Sequence, residues 1–134
     1  MKSIIWKLAI VCILMSVFSC KQGDGKLYLE TSYVSLAIDS TGYIRSIKSK
    51  VDGQEYLSSK KSSPLLALYV GNDNPIYPSS ACLSEGTVVL SYPNGSVATV
   101  GVKEKGEYIM FRLLSLENRG EVDNVVWGPY NTTI

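Results

Sequence analysis

The chain has 134 residues, 46% of them hydrophobic and 19% charged, with 13 Lys and Arg against 12 Asp and Glu and no histidine. This length suits a single domain, and the near-neutral balance speaks against nucleic acid as a partner, which would call for a clustered basic face; the only adjacent cationic pair, Lys60-Lys61, sits in a serine-rich loop. Without histidine, Ser-His-Asp and Cys-His catalysis, the usual zinc sites and imidazole proton shuttling are all excluded, and chemistry falls to carboxylates, tyrosines, lysines and backbone.

Residues 1–19 read as a secretion signal in helical form. Lys2 and Lys7 precede the apolar run Leu8 to Phe18, and Ser19 supplies a small residue before Cys20. The run is shorter than the roughly 20 apolar residues that span a bilayer. Its removal takes Lys2 and Lys7 away and leaves 11 basic against 12 acidic side chains, a formal balance of minus one. Residues 20–26, with Lys21-Gln22-Gly23-Asp24-Gly25-Lys26 after the cysteine, are polar and lack an apolar period, as a flexible tether does.

From residue 27 to 134 the pattern predicts strand after strand. Residues 33–39 alternate, with Val34, Leu36 and Ile38 on one face, and Asp39-Ser40-Thr41-Gly42 turns the chain into an extended stretch from Tyr43 to Lys48. Val51-Asp52-Gly53 marks a second turn before Glu55-Tyr56-Leu57. Leu65 to Val70 is a continuous apolar run, suited to a strand covered on both faces. Thr87 to Tyr92 and Ser96 to Val102 flank Pro93-Asn94-Gly95 as the clearest hairpin. Lys105-Gly106 leads to Glu107 to Leu116, and Arg119-Gly120 to a last strand from Val122 to Trp127. No amphipathic helix of three turns follows the signal. The fold class is therefore all-β, an antiparallel β-sandwich or part of a supersandwich. Its end, Gly128 to Ile134, reads as a chain that stops partway through a larger architecture, so the domain is expected to be incomplete at its C-terminus.

Neither cofactor nor metal is indicated. Asn72-Asp73-Asn74 offers oxygen ligands but lacks the rest of a calcium loop and reads as a turn. Cys12 leaves with the signal and Cys20 heads the tether, so Cys82 is expected to be the one thiol of the fold, a small hydrophobe without an internal disulfide. Hydrolysis of a glycosidic bond needs two carboxylates about 5–5.5 Å or roughly 6.5–9.5 Å apart, and most acids here, Asp39, Asp52 and Glu117 among them, stand beside turns. Asp123 draws notice because its strand carries Trp127. The aromatic and amide groups of Trp127, Tyr130, Asn124 and Asn131 lie within eight residues of one another and would suit a glycan, rings stacking on a sugar face and amides meeting its hydroxyls. The competing expectation places Trp127 in the core.

Two resemblances extend this reading. Val17-Phe18-Ser19-Cys20 resembles the lipobox of bacterial lipoproteins. It implies acylation of Cys20 and a protein held in the cell envelope, at the outer membrane, through several acyl chains that each contribute about 0.8 kcal/mol per buried methylene. SLAIDSTGYIRSIKSKVDGQEYL, YPNGSVATVGVKEKGEYIMFRLLSLE and VDNVVWGPYNTTI resemble the amino-terminal galactose-mutarotase-like sandwich of large Bacteroides-type glycoside hydrolases. That resemblance implies an accessory domain of a carbohydrate-processing system, non-catalytic by itself because the catalytic carboxylates of such enzymes sit in a following domain. The alternative is an interaction lipoprotein presenting a sheet surface to a protein partner.

Overall fold

The structure is a computed structural model and describes residues 25–133. The expected signal helix over residues 1–19, the acylation site Cys20 and the tether as far as residue 24 lie outside the described residues. No helix among the described residues is long and apolar enough to cross a membrane, a statement that leaves β-barrels aside.

The described chain is all-β, in three antiparallel sheets. The first joins β1 (Leu27–Glu30), β2 (Val34–Ile38) and β3 (Ile44–Ser49) in chain order. The second places β4 (Leu66–Val70) between β5 (Asn74–Ile76) and β10 (Asn124–Trp127), so the last strand returns to pair with the fourth. The third is a meander of β6 (Ser80–Ser84), β7 (Thr87–Ser91), β8 (Val97–Glu104) and β9 (Ile109–Glu117). A bridge between Tyr43 and Pro64, with Ile44 N–H donating to Ser63 O at 2.8 Å, ties the first sheet to the segment entering β4.

Sequence chemistry explains the turns. In the β2–β3 connection, the Asp39 carboxylate accepts from the Thr41 N–H at 2.9 Å, from the Thr41 hydroxyl and from Arg45. Burial raises the Asp39 pKa, but these bonds and a backbone N–H at Tyr43 outweigh it and hold the carboxyl below its ordinary value. Gly42 closes the turn at φ +86°, where a Cβ would lie 2.8 Å from Leu90 Cδ2 and 3.0 Å from Pro78. Only glycine fits, for backbone and packing reasons together. Glu55 plays a similar part beyond β3. Its carboxylate accepts from Ile47 N–H at 2.7 Å, Leu57 N–H at 3.1 Å and the Ser46 hydroxyl.

All three sheets share one core. Leu29, Leu36, Ile38 and Ile44 of the first meet Leu66 and Leu68 of β4 and Val88, Leu90, Ala98, Val100 and Val102 of the meander. The apolar run at β4 is covered on both faces as its composition implies, with Leu65 to Leu68 fully buried. Two tyrosines secure it: the Tyr92 hydroxyl donates to Leu66 O at 2.8 Å, and that of Tyr130 to Leu65 O at 2.9 Å. Burial pushes both hydroxyls up, that of Tyr130 to about 12. Cys82 departs from expectation. It lies half-buried opposite Val89 and is disulfide-bonded, which corrects the expectation of a lone thiol; the chain's other cysteines, Cys12 and Cys20, both lie outside the described residues.

Candidate functional site

The residues that could meet a ligand gather where β10 and β9 face each other. β10 pairs with β4 along one side, Asn124 opposite Tyr69 and Trp127 opposite Leu66, and has no strand on its other side among the described residues. An apolar strand at a sheet edge buries little of itself: Val125, Val126 and Trp127 are 40%, 41% and 40% exposed. Trp127 is thus neither core nor free. Its indole leans on Phe111 of β9, ring centroids 6.2 Å apart and tilted by 40°. Bracing of this kind fixes an aromatic plane while leaving part of it open to solvent.

Beside this pair runs a shallow cleft of about 340 Å³ lined by Leu113, Leu116, Arg119, Val122, Asp123, Asn124 and Val125. Its apolar wall comes from the inward residues of β9, which pack on the core. Arg119 and Asn124 give it a polar rim. The loop between β9 and β10 is held by the Ser96 hydroxyl, which donates to Asn118 O at 2.8 Å while Asn118 takes φ +53°. Asp123 anchors the entry to β10. Its carboxylate accepts from Gly71 N–H at 2.7 Å and its own N–H donates to Tyr69 O at 2.9 Å, which stitches β10 to the β4–β5 hairpin.

The four sugar-facing candidates do not form one cluster. Alternation along β10 sends Asn124 and Trp127 to opposite faces of the strand; Asn124 borders the cleft and Trp127 meets Phe111. Tyr130 spends its hydroxyl on Leu65 O. The Asn131 amide donates to Ser62 O at 2.7 Å, its backbone N–H to Ser63 Oγ at 3.0 Å, and its carbonyl accepts from Ser58 N–H at 2.7 Å. Tyr130 and Asn131 therefore fasten the segment after Trp127 to the start of β4. Phe111 is the partner that sequence reasoning passed over; its place on the inward face of β9, opposite Val102, was the available signal.

Three acids are committed to the backbone. Asp39, Glu55 and Asp123 each accept bonds that hold turns and strand ends. The Asn72-Asp73-Asn74 stretch forms the β4–β5 turn and the start of β5. No group of three or more Cys, Asp or Glu side chains with metal-binding geometry occurs among the described residues. No family model, curated protein or solved structure matches the chain.

Proposed function

We propose that this protein is a membrane-anchored, non-catalytic β-sandwich module that recognises glycan for a carbohydrate-processing system, attached at the outer membrane through acylated Cys20, whose sulfur in that anchored form is not the disulfide partner of Cys82. The observation that carries the reading is Trp127: a partly open indole, braced by Phe111 on an edge strand, two residues along β10 from Val125, which lines a cleft with Arg119 on its rim. Pyranose rings stack on such a plane while a guanidinium group meets their hydroxyls. Tyr130 and Asn131 serve by holding the plane in position. The commitment of Asp39, Glu55 and Asp123 to backbone bonds supports binding over hydrolysis. The resemblance to galactose-mutarotase-like sandwiches agrees with this assignment.

Affinity electrophoresis through gels containing neutral polysaccharides tests it. Retardation of the chain from residue 20 onward, lost in Trp127→Ala and kept in Tyr33→Phe, a change at an exposed tyrosine before the first sheet's second strand, is the expected result; equal mobility in every gel would remove the glycan reading. The anchor has its own test, because the intact mass of membrane-extracted protein should carry the acyl chains and Cys20→Ser should release the protein from membranes.

A second reading is favoured by one observation. Val125, Val126 and Trp127 expose a run of apolar residues on an edge that is unpaired among the described residues, which is the geometry for accepting a partner's strand. Val126→Lys should abolish such docking and leave glycan binding intact.

A further inference from the structure

The sheet edges of this fold are not alike. β3 is covered by the segment that follows it, Tyr56 N–H donating to Ile47 O at 2.8 Å, and β6 by the β2–β3 turn, Ala81 N–H donating to Ser40 O at 2.7 Å. β5 carries Pro75, β1 ends on Glu30, and β9 carries Arg112 and faces a register shift in β8. Cover, proline, charge and irregularity all discourage another strand from adding to an edge. β10 has none of them among the described residues: Asn124-Val125-Val126-Trp127 is uncharged and pairs on one side only.

Backbone direction decides which groups of β10 meet solvent. Gly128 N–H donates to Leu65 O at 3.2 Å, while Leu66 O turns the other way and accepts from the Tyr92 hydroxyl at 2.8 Å. Trp127 stands opposite Leu66, so alternation points the N–H and C=O of Asn124 and Val126 at β4 and those of Val125 and Trp127 at the open edge. Facing residues of an antiparallel pair direct their polar groups alike, so two copies of one strand related by a two-fold axis must set some residue opposite itself. Val126 is the residue that fits. Centring on Val125 sets Trp127 against Asp123, whose N–H is already given to Tyr69 O, and centring on Trp127 sets Val125 against Pro129, which has no N–H.

We propose that β10 pairs antiparallel with β10 of a second copy of this chain, Val126 lying opposite itself. Val125 and Trp127 then exchange backbone bonds with the partner's Trp127 and the partner's Val125, and the sheets join in the order β5-β4-β10-β10-β4-β5. Facing side chains share a face of the sheet. The partner's Trp127 therefore arrives beside Val125, at the cleft that Val125 lines with Leu113 and Leu116, and each indole gains a β-branched neighbour, a favourable cross-strand pair. Because the strand carries no charge, the axis brings no like charges together. The proposal rests on the strand-docking reading of this edge and names its occupant; glycan recognition is no part of it. So short a strand makes a small interface, under roughly 1,200 Å², and hence a weak one.

Sedimentation velocity of the chain from residue 20 onward, at rising concentration and without glycan, tests the proposal. A reversible monomer–dimer equilibrium with a dissociation constant on the order of 0.1 mM is expected. Val125→Pro removes an N–H that β4 does not use and should keep the fold, read from the melting temperature, while weakening dimerisation at least about tenfold. Val126→Lys and Val126→Glu each place like charges opposite one another and should weaken it by as much, whereas an equimolar mixture of the two should dimerise at least as well as the parent protein. Monomer at every concentration, a dimer that persists in either charged variant alone, or a mixture that stays monomeric would each overturn the proposal. A monomer that captures a different protein, with capture lost in Val126→Lys, would overturn the self-pairing and leave the strand-docking reading standing.

Discussion

β4 and β10 are neighbours in one sheet and both apolar in sequence, yet they do opposite work. LALYV is flanked by strands on both sides, has its first three residues fully buried, and receives tyrosine hydroxyls at the two carbonyls where it begins. NVVW has one strand beside it among the described residues and leaves three apolar side chains about two-fifths exposed. Hydrophobic residues buried between strands hold a fold together; the same residues on an edge are available to something else. The difference lies in position within the sheet, which composition does not encode.

Truncation to alanine in each of the two strands should separate them. Leu66→Ala, in the buried strand, is expected to cost about 2–5 kcal/mol in urea unfolding, whereas Val126→Ala should cost less than about 1 kcal/mol. Similar losses would mean that β10 is a core strand after all. The tyrosine bonds give a finer contrast. Tyr92→Phe leaves the buried Leu66 carbonyl without its hydroxyl donor, a loss of about 1–3 kcal/mol. Tyr130→Phe should cost less, because the Leu65 carbonyl still accepts from Gly128 N–H at 3.2 Å.

Alkali should reach the same seam. Burial raises both hydroxyls, so the fold favours the protonated phenol, and its contribution is complete below the ordinary 10 and lost as pH rises through about 12 for Tyr130 and at higher pH still for Tyr92. Circular dichroism across that range should show unfolding that begins above pH 10 and is shallower in Tyr130→Phe. The smallest effect is expected from Asp39→Asn in the first sheet, away from both strands. The Asp39 carboxyl is held below its ordinary 3.8, so its contribution is present above that value and lost as pH falls through the lowered one. Urea midpoints at neutral pH and at pH 3 should therefore differ less in the variant than in the parent protein.

The hairpins were legible in the sequence because their turns need particular residues, as at Gly42 and at Asn94-Gly95, and because alternation around them is regular. β1, β5 and β6 were less so. β5 carries Pro75, tolerated because it lies on an edge, and SACLS in β6 mixes small and polar residues that give no clear period. The core expectation for Trp127 failed for the same reason that β4 and β10 look alike: VVW has the composition of an interior strand. Adjacency in sequence also grouped Asn124 with Trp127 and Tyr130 with Asn131, while alternation and backbone bonds divide them.

Trp127 is the only tryptophan once residues 1–19 are removed, Trp6 being the other, so its emission reports the proposed surface without ambiguity. The most direct measurement is the fluorescence of that chain with acrylamide, in the absence and presence of oligosaccharide. Partial quenching of a moderately red-shifted emission is expected, with protection when a glycan binds. Blue emission that acrylamide does not reach, unchanged by any glycan, would contradict it.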